Sequence, residues 1–128
     1  MKVLISDTDF DVINEISLTL QQSKPDCRFL IVNSGVTCLD LIELYSIDLV
    51  FIGSTLLDMS GLDLVGLIRK LCNIPVIFVS PNKDDDNLVT AFDAGANNYI
   101  SLPFNREIFI AQMNATLRRV KWDGCKAG

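Results

Sequence analysis

The side chains in this chain that could do chemistry are mostly oxygens, and they gather just after short apolar runs. Ser6, Asp7 and Thr8 follow Val3-Leu4-Ile5. Gly53, Ser54 and Thr55 follow Leu49 to Ile52. Ser80 closes Val76 to Val79, and Ser101 follows Tyr99-Ile100. The chain has no histidine, which excludes a histidine phospho-donor, general base or metal ligand within it. No nucleophile stands beside a base, so an enzyme is the least favoured reading. Ser54 and Thr55 are within a kinase's chemistry but read more simply as loop hydroxyls. Asp9 is placed to cap a helix, Asp58 in LLDMSG to sit in a turn, and Ser80 to bond nearby backbone.

The elements that must position these groups alternate from end to end. Val3–Ser6 reads as a buried strand, and Val12, Ile13, Ile16 and Leu20 recur at helical spacing until Ser23-Lys24-Pro25. Phe29–Val32 is a second strand, with Val36, Leu39, Ile42 and Leu44 on the helix after it. Leu49–Ile52 is the third strand, and a loop from Gly53 to Ser60 leads to a helix carrying Leu62, Val65, Ile68 and Leu71. Pro75 opens the fourth strand, VIFVS, and Asp84 to Asp86 place negative charge at the start of the following helix. Gly95 ends that helix in a left-handed cap. Asn98–Ser101 is the fifth strand, and Asn105 caps a last helix running to about Val120. Strict alternation predicts a parallel sheet covered on both faces, doubly wound, with its site at the carboxyl ends of the strands.

Length and composition narrow the function classes. The chain of 128 residues is one domain in size, and 49% hydrophobic content supplies a core. A net charge of −5 argues against nucleic-acid binding by this domain. No apolar run approaches the roughly 20 residues of a membrane span, and MKVLISDTDF lacks a signal-peptide core, so a cytoplasmic location is expected. Cys27, Cys38 and Cys72 sit among apolar neighbours and read as small core residues, while Cys125 lies in a polar tail. No CxxC pair points to a metal site, and no glycine-rich phosphate loop supports a flavodoxin-type ligand domain.

At its strand ends the chain resembles the receiver domains of bacterial response regulators. DLVFIGSTLLDMSG is similar to that family's third strand and loop, IPVIFVSP to its fourth strand, and GANNYISLPF to its G-A-D-D-Y-x-x-K-P-F segment; the match runs without a gap over about residues 2 to 119. The resemblance implies a flavodoxin-like α/β fold, five parallel strands in order 2-1-3-4-5 with five helices, over residues 1–120, with 121–128 a tail or linker stub.

It also implies a phosphorylation site, and here the chain departs from the family. Receivers hold Mg²⁺ on two successive acidic residues and an acceptor aspartate, with a hydroxyl and a lysine on the phosphoryl group. The corresponding positions are Asp7 and Thr8, Gly53, Ser80 and Leu102; Pro103 is kept, with a cis bond implied, and Leu57 stands where the family commonly has proline. Only Asp7 and Ser80 of the working groups remain. The expectation is a degenerate site with no metal and no cofactor. Tyr99 takes the place of the switch aromatic, and Leu88 and Ile108 are apolar where receivers are usually polar. The leading reading is a phosphorylation-independent interaction module docking a signalling protein or itself through the fourth helix, fifth strand and fifth helix. The alternative is a phosphorelay receiver that uses another residue, such as Asp58 or Asp7.

Overall fold

The computed structural model describes residues 1–83 and 85–120, with no side-chain account of Asp85. Asp84, the tail and Cys125 therefore lie outside the described residues. Five strands and five helices alternate: β1 (Lys2–Ser6), α1 (Phe10–Ser23), β2 (Arg28–Val32), α2 (Gly35–Leu44), β3 (Leu49–Gly53), α3 (Gly61–Leu71), β4 (Val76–Ser80), α4 (Asp85–Ala94), β5 (Asn98–Ser101) and α5 (Arg106–Arg119). All strand pairs are parallel, in the order β2-β1-β3-β4-β5. This is the sheet expected from the sequence.

Burial explains the strand compositions. Every residue of β3 and β4 is buried, which is why LVFIG and VIFVS are continuously apolar rather than alternating. One face packs Leu4, Val50, Ile52 and Phe78 against Cys38 and Ile42 of α2, Leu64 and Ile68 of α3, and Ala91 of α4. The other packs Val3, Ile5, Phe51 and Val79 against Val12 and Ile16 of α1 and Phe109 and Met113 of α5. The edge strand β2 is more open, with Leu30 and Ile31 exposed.

Helix starts follow the predicted caps. Asp9 accepts from the amides of Asp11 and Val12, and Asn105 accepts from Ile108. Gly95 ends α4 with φ of +119°, a conformation that a side chain would strain. The Leu102–Pro103 bond is cis. Two expectations need correction: of the three described cysteines Cys38 is in the core, whereas Cys27 and Cys72 are half-buried because each sits where a helix has ended and the chain meets the surface.

Candidate functional site

The carboxyl ends of β1 and β3 bring the strand-end residues together. The Asp7 amide donates to the Val32 carbonyl at 3.1 Å, extending the β1–β2 ladder one step past β1. That holds the Asp7 side chain inward, with 3% of its surface exposed. Oδ1 of Asp7 accepts from the amides of Thr8 at 2.7 Å and Asp9 at 3.1 Å. Oδ2 is buried without a hydrogen-bond partner. Burial pushes the carboxyl up to about 6, against the pull of those two amides.

The missing partner is explained by Gly53. A Cβ built on Gly53 would lie 1.9 Å from Oδ2 of Asp7 and 2.0 Å from its Cγ. The Asp7 carboxylate therefore occupies the space that any side chain at residue 53 would enter. The chain also folds back tightly above Gly53: its carbonyl oxygen lies 1.8 Å from where a Cβ of Gly61 would be, so Gly61, opposed by backbone, requires glycine in this packing, whereas a side chain at residue 53 would have to displace the Asp7 carboxylate.

The loop between β3 and α3 is fastened on two sides. Thr8 Oγ1 donates to the Thr55 carbonyl at 2.8 Å, so its hydroxyl proton is turned to backbone. On the far side Asp58, expected from sequence to be a turn residue, does more than turn. Its Oδ1 accepts from the Gly35 amide at 2.7 Å, and its Oδ2 accepts from the Val36 amide at 3.1 Å and the Ser34 hydroxyl at 2.9 Å. It caps α2 from a distant loop, and these amides hold its carboxyl below the usual range. The sequence carried no local signal for this contact. Its one hint was an acid in a glycine-flanked loop at the same end of the sheet as an α2 N-terminus.

The other predicted residues divide into two groups. Ser80 ends β4 and donates to the Asn82 carbonyl at 2.6 Å. Leu102 donates its amide to the Ser80 carbonyl at 3.0 Å, while its side chain packs at the edge of the core between the sheet and α5. Tyr99 is half-buried and stacks on Phe78 with centroids 5.8 Å apart. Leu88 on α4 and Ile108 on α5 are exposed and sit on helices that cover opposite faces of the sheet, next to edge strand β5. Sequence reading missed two further exposed apolar residues of α4, Val89 and Phe92, which a helical period places one and four positions after Leu88.

A profile of the response regulator receiver domain matches residues 3–114. The chain belongs to that family. Among its relatives, the transcriptional regulatory protein KdpE of Mycobacterium tuberculosis is 40% identical over 72 residues, 56% of this chain and 32% of that protein. The cell cycle transcriptional regulator CtrA of Caulobacter vibrioides is 30% identical over 122 residues, 94% of this chain and 52% of that protein. The chain thus spans about half, or less, of these relatives' length. The crystal structure of a two-component response regulator from Clostridium difficile superposes with a TM-score of 0.81 at 26% identity, covering 93% of this chain and 97% of that one.

As a receiver domain of two-component signalling, the chain can be asked whether its strand ends fit the Mg²⁺ of the family. They do not. Asp7 offers one carboxylate, with Oδ1 already bonded to two amides and Oδ2 tucked over Gly53. Thr8 is neutral, Gly53 has no side chain, and no group of three or more acidic, cysteine or histidine residues converges among the described residues. A hard divalent cation needs about six oxygen ligands, and this donor set is too sparse. Nothing positively charged stands at Leu102 to offset a phosphoryl group.

Proposed function

We propose that this receiver acts without aspartyl phosphorylation, as a protein-interaction module in bacterial signal transduction. The observation that carries the reading is the filling of the acceptor's space: residue 53 is glycine, and the Asp7 carboxylate lies where an acceptor side chain would begin. Phosphoryl transfer rests on positioning and charge neutralisation, and here Thr8, Gly53 and Leu102 supply neither. Transfer to Asp58 is disfavoured because both its oxygens are engaged at the start of α2. Transfer to Asp7 is disfavoured because its carboxylate is buried. The domain would work in the cytoplasm. Its net charge of −5 argues against nucleic acid as its own partner.

The surface proposed for partners, or for a second copy, is formed by α4, β5 and α5. Leu88, Val89 and Phe92 lie exposed on α4 and Ile108 on α5, with half-buried Tyr99 on the strand between. Apolar clusters around an aromatic are typical of interface centres. Incubation with acetyl phosphate and Mg²⁺, followed by intact mass, tests the phosphorylation-independent reading. No phosphoryl adduct is expected; a near-stoichiometric adduct overturns it.

A further inference from the structure

Helix α3 has a second face. Leu64, Val65 and Ile68 turn to the sheet and are buried. On the outward side an open cleft of about 450 Å³ runs along the helix, lined by Met59, Leu62, Asp63, Gly66, Leu67 and Lys70. Their spacing of three and four residues makes one continuous stripe. Leu67 is 38% exposed, and Met59 and Leu62 are half-buried.

The centre of this stripe is a glycine that the domain's own packing does not require. A Cβ on Gly66 would have no heavy atom within 4 Å, whereas one on Gly61 would meet backbone and one on Gly95 would meet Arg69. Glycine inside a helix weakens it relative to alanine. A missing side chain in the middle of an exposed helix face does allow another backbone to approach closely.

The charges on the stripe suit one occupant. Asp63 and Lys70 stand seven residues apart, about 10 Å along the helix axis, too far to pair with each other. Neither side chain makes an ion pair or hydrogen bond among the described residues; the bond from Asp63 to Ser60 is donated by its backbone amide. The neighbouring cation, Arg69, is engaged inside the domain by the Gly95 and Ile74 carbonyls and by Asn97. The midpoint between residues 63 and 70 falls between Gly66 and Leu67, at the middle of the cleft. A two-fold axis there, relating two antiparallel copies of α3, brings Asp63 of each copy against Lys70 of the other. A parallel pairing would set like charges together. Self-complementarity under a two-fold is what a homodimer interface needs.

We infer that α3 is a contact between two copies of this chain, packed antiparallel, with Gly66 and Leu67 at the crossing and an Asp63–Lys70 pair on either side. Leu67, with Leu62 and Met59 at the margins, supplies apolar contact, and the charges set register and direction. The contact uses no residue of α4, β5 or α5.

Sedimentation velocity on the full chain tests it. The parent is expected to form a dimer as concentration rises. Asp63→Lys places cations opposite each other and Lys70→Asp places acids opposite each other, so each variant alone should dimerise at least about tenfold more weakly. An equimolar mixture of the two variants restores opposite charges at both pairs and should dimerise as the parent does. Gly66→Leu fills the cleft from open space, so it should keep the fold and lose the dimer. Thermal melts report whether each variant is folded, and Gly66→Leu decides the matter should a charge variant unfold. A parent that stays monomeric up to about 1 mM overturns the inference and leaves the cleft to another protein. Association insensitive to both charge variants overturns it and leaves α4, β5 and α5 as the contact between copies. A mixture no more associated than its separate components also overturns it.

Discussion

Asp7 and Gly53 compete for one space: a Cβ on residue 53 would stand 1.9 Å from Oδ2 of Asp7. Restoring an acceptor by Gly53→Asp alone therefore has two obstacles. The new Cβ must drive the Asp7 carboxylate away, and the two acids would then stand together without metal or lysine. Like charges in a poorly solvated site raise each other's pKa values. Labelling by acetyl phosphate is expected to stay near background in Gly53→Asp. It should rise only when Thr8→Asp and Leu102→Lys are added. Strong labelling of the single variant, read by intact mass, would contradict this.

Asp7 also sets a pH dependence. Its carboxyl is raised from 3.8 to about 6, first by burial. Between these values the folded chain holds a proton that the unfolded chain has released. Stability from this group is therefore greatest below about pH 4 and falls as pH rises through about 6, by on the order of 2–3 kcal/mol. Asp7→Asn is neutral throughout and keeps an oxygen for the amides of Thr8 and Asp9. It should be more stable than the parent at pH 7.5 by about that amount, with the difference vanishing near pH 4. Urea unfolding at the two pH values measures it. A less stable Asp7→Asn at pH 7.5 would mean that the carboxylate has a partner.

Asp58 is expected to matter for α2 and not for chemistry. Asp58→Ala removes three acceptor contacts at Ser34, Gly35 and Val36. Hydrogen exchange of the Gly35 and Val36 amides should quicken while the exchange of β3 and β4 amides is unchanged. The lowered pKa of Asp58 gives the sign of its pH effect: the contribution is present above its unfolded value and lost as pH falls through its folded one. Unaltered exchange at Gly35 would show that the cap carries no weight.

The reach of sequence reading has a physical boundary in this chain. Strands, helices, the parallel sheet, the Asp9 and Asn105 caps and the left-handed Gly95 were legible because they follow from neighbours in sequence or from the alternation of elements, while the strand order came from the family resemblance. The residues at the candidate site were legible by type, through the resemblance at the strand ends. Their contacts were not. Asp7 meets Gly53 across 46 residues, and Asp58 meets Gly35 across 23, and no periodicity reports where an acid will find an amide. Exposure was also partly hidden. Val36 and Leu44 lie on α2 as expected, yet both face outward, as do Val89 and Phe92 on α4. An apolar period marks a helix without saying how wide a face the sheet will cover.

The face at α4, β5 and α5 yields the prediction most direct for function. Leu88 is 37% exposed and Ile108 58%. Neither is among the residues that form the two cores. Exchanging both for glutamate adds charge where water already reaches, so each change should alter stability by no more than about 0.5 kcal/mol. The glutamates would, however, place uncompensated charge in the middle of any apolar contact made there, where desolvation is costly. The double variant Leu88→Glu/Ile108→Glu should keep its melting temperature and lose self-association or partner capture, read by light scattering and by pull-down with a candidate signalling protein. A control pair at Val36→Glu/Leu44→Glu, also exposed apolar residues but on α2, should leave association intact. If the control abolishes association and the α4–α5 variant does not, the contact surface lies on the α2 side of the domain. If the α4–α5 variant unfolds, these side chains contribute to the core through contacts that their exposure conceals.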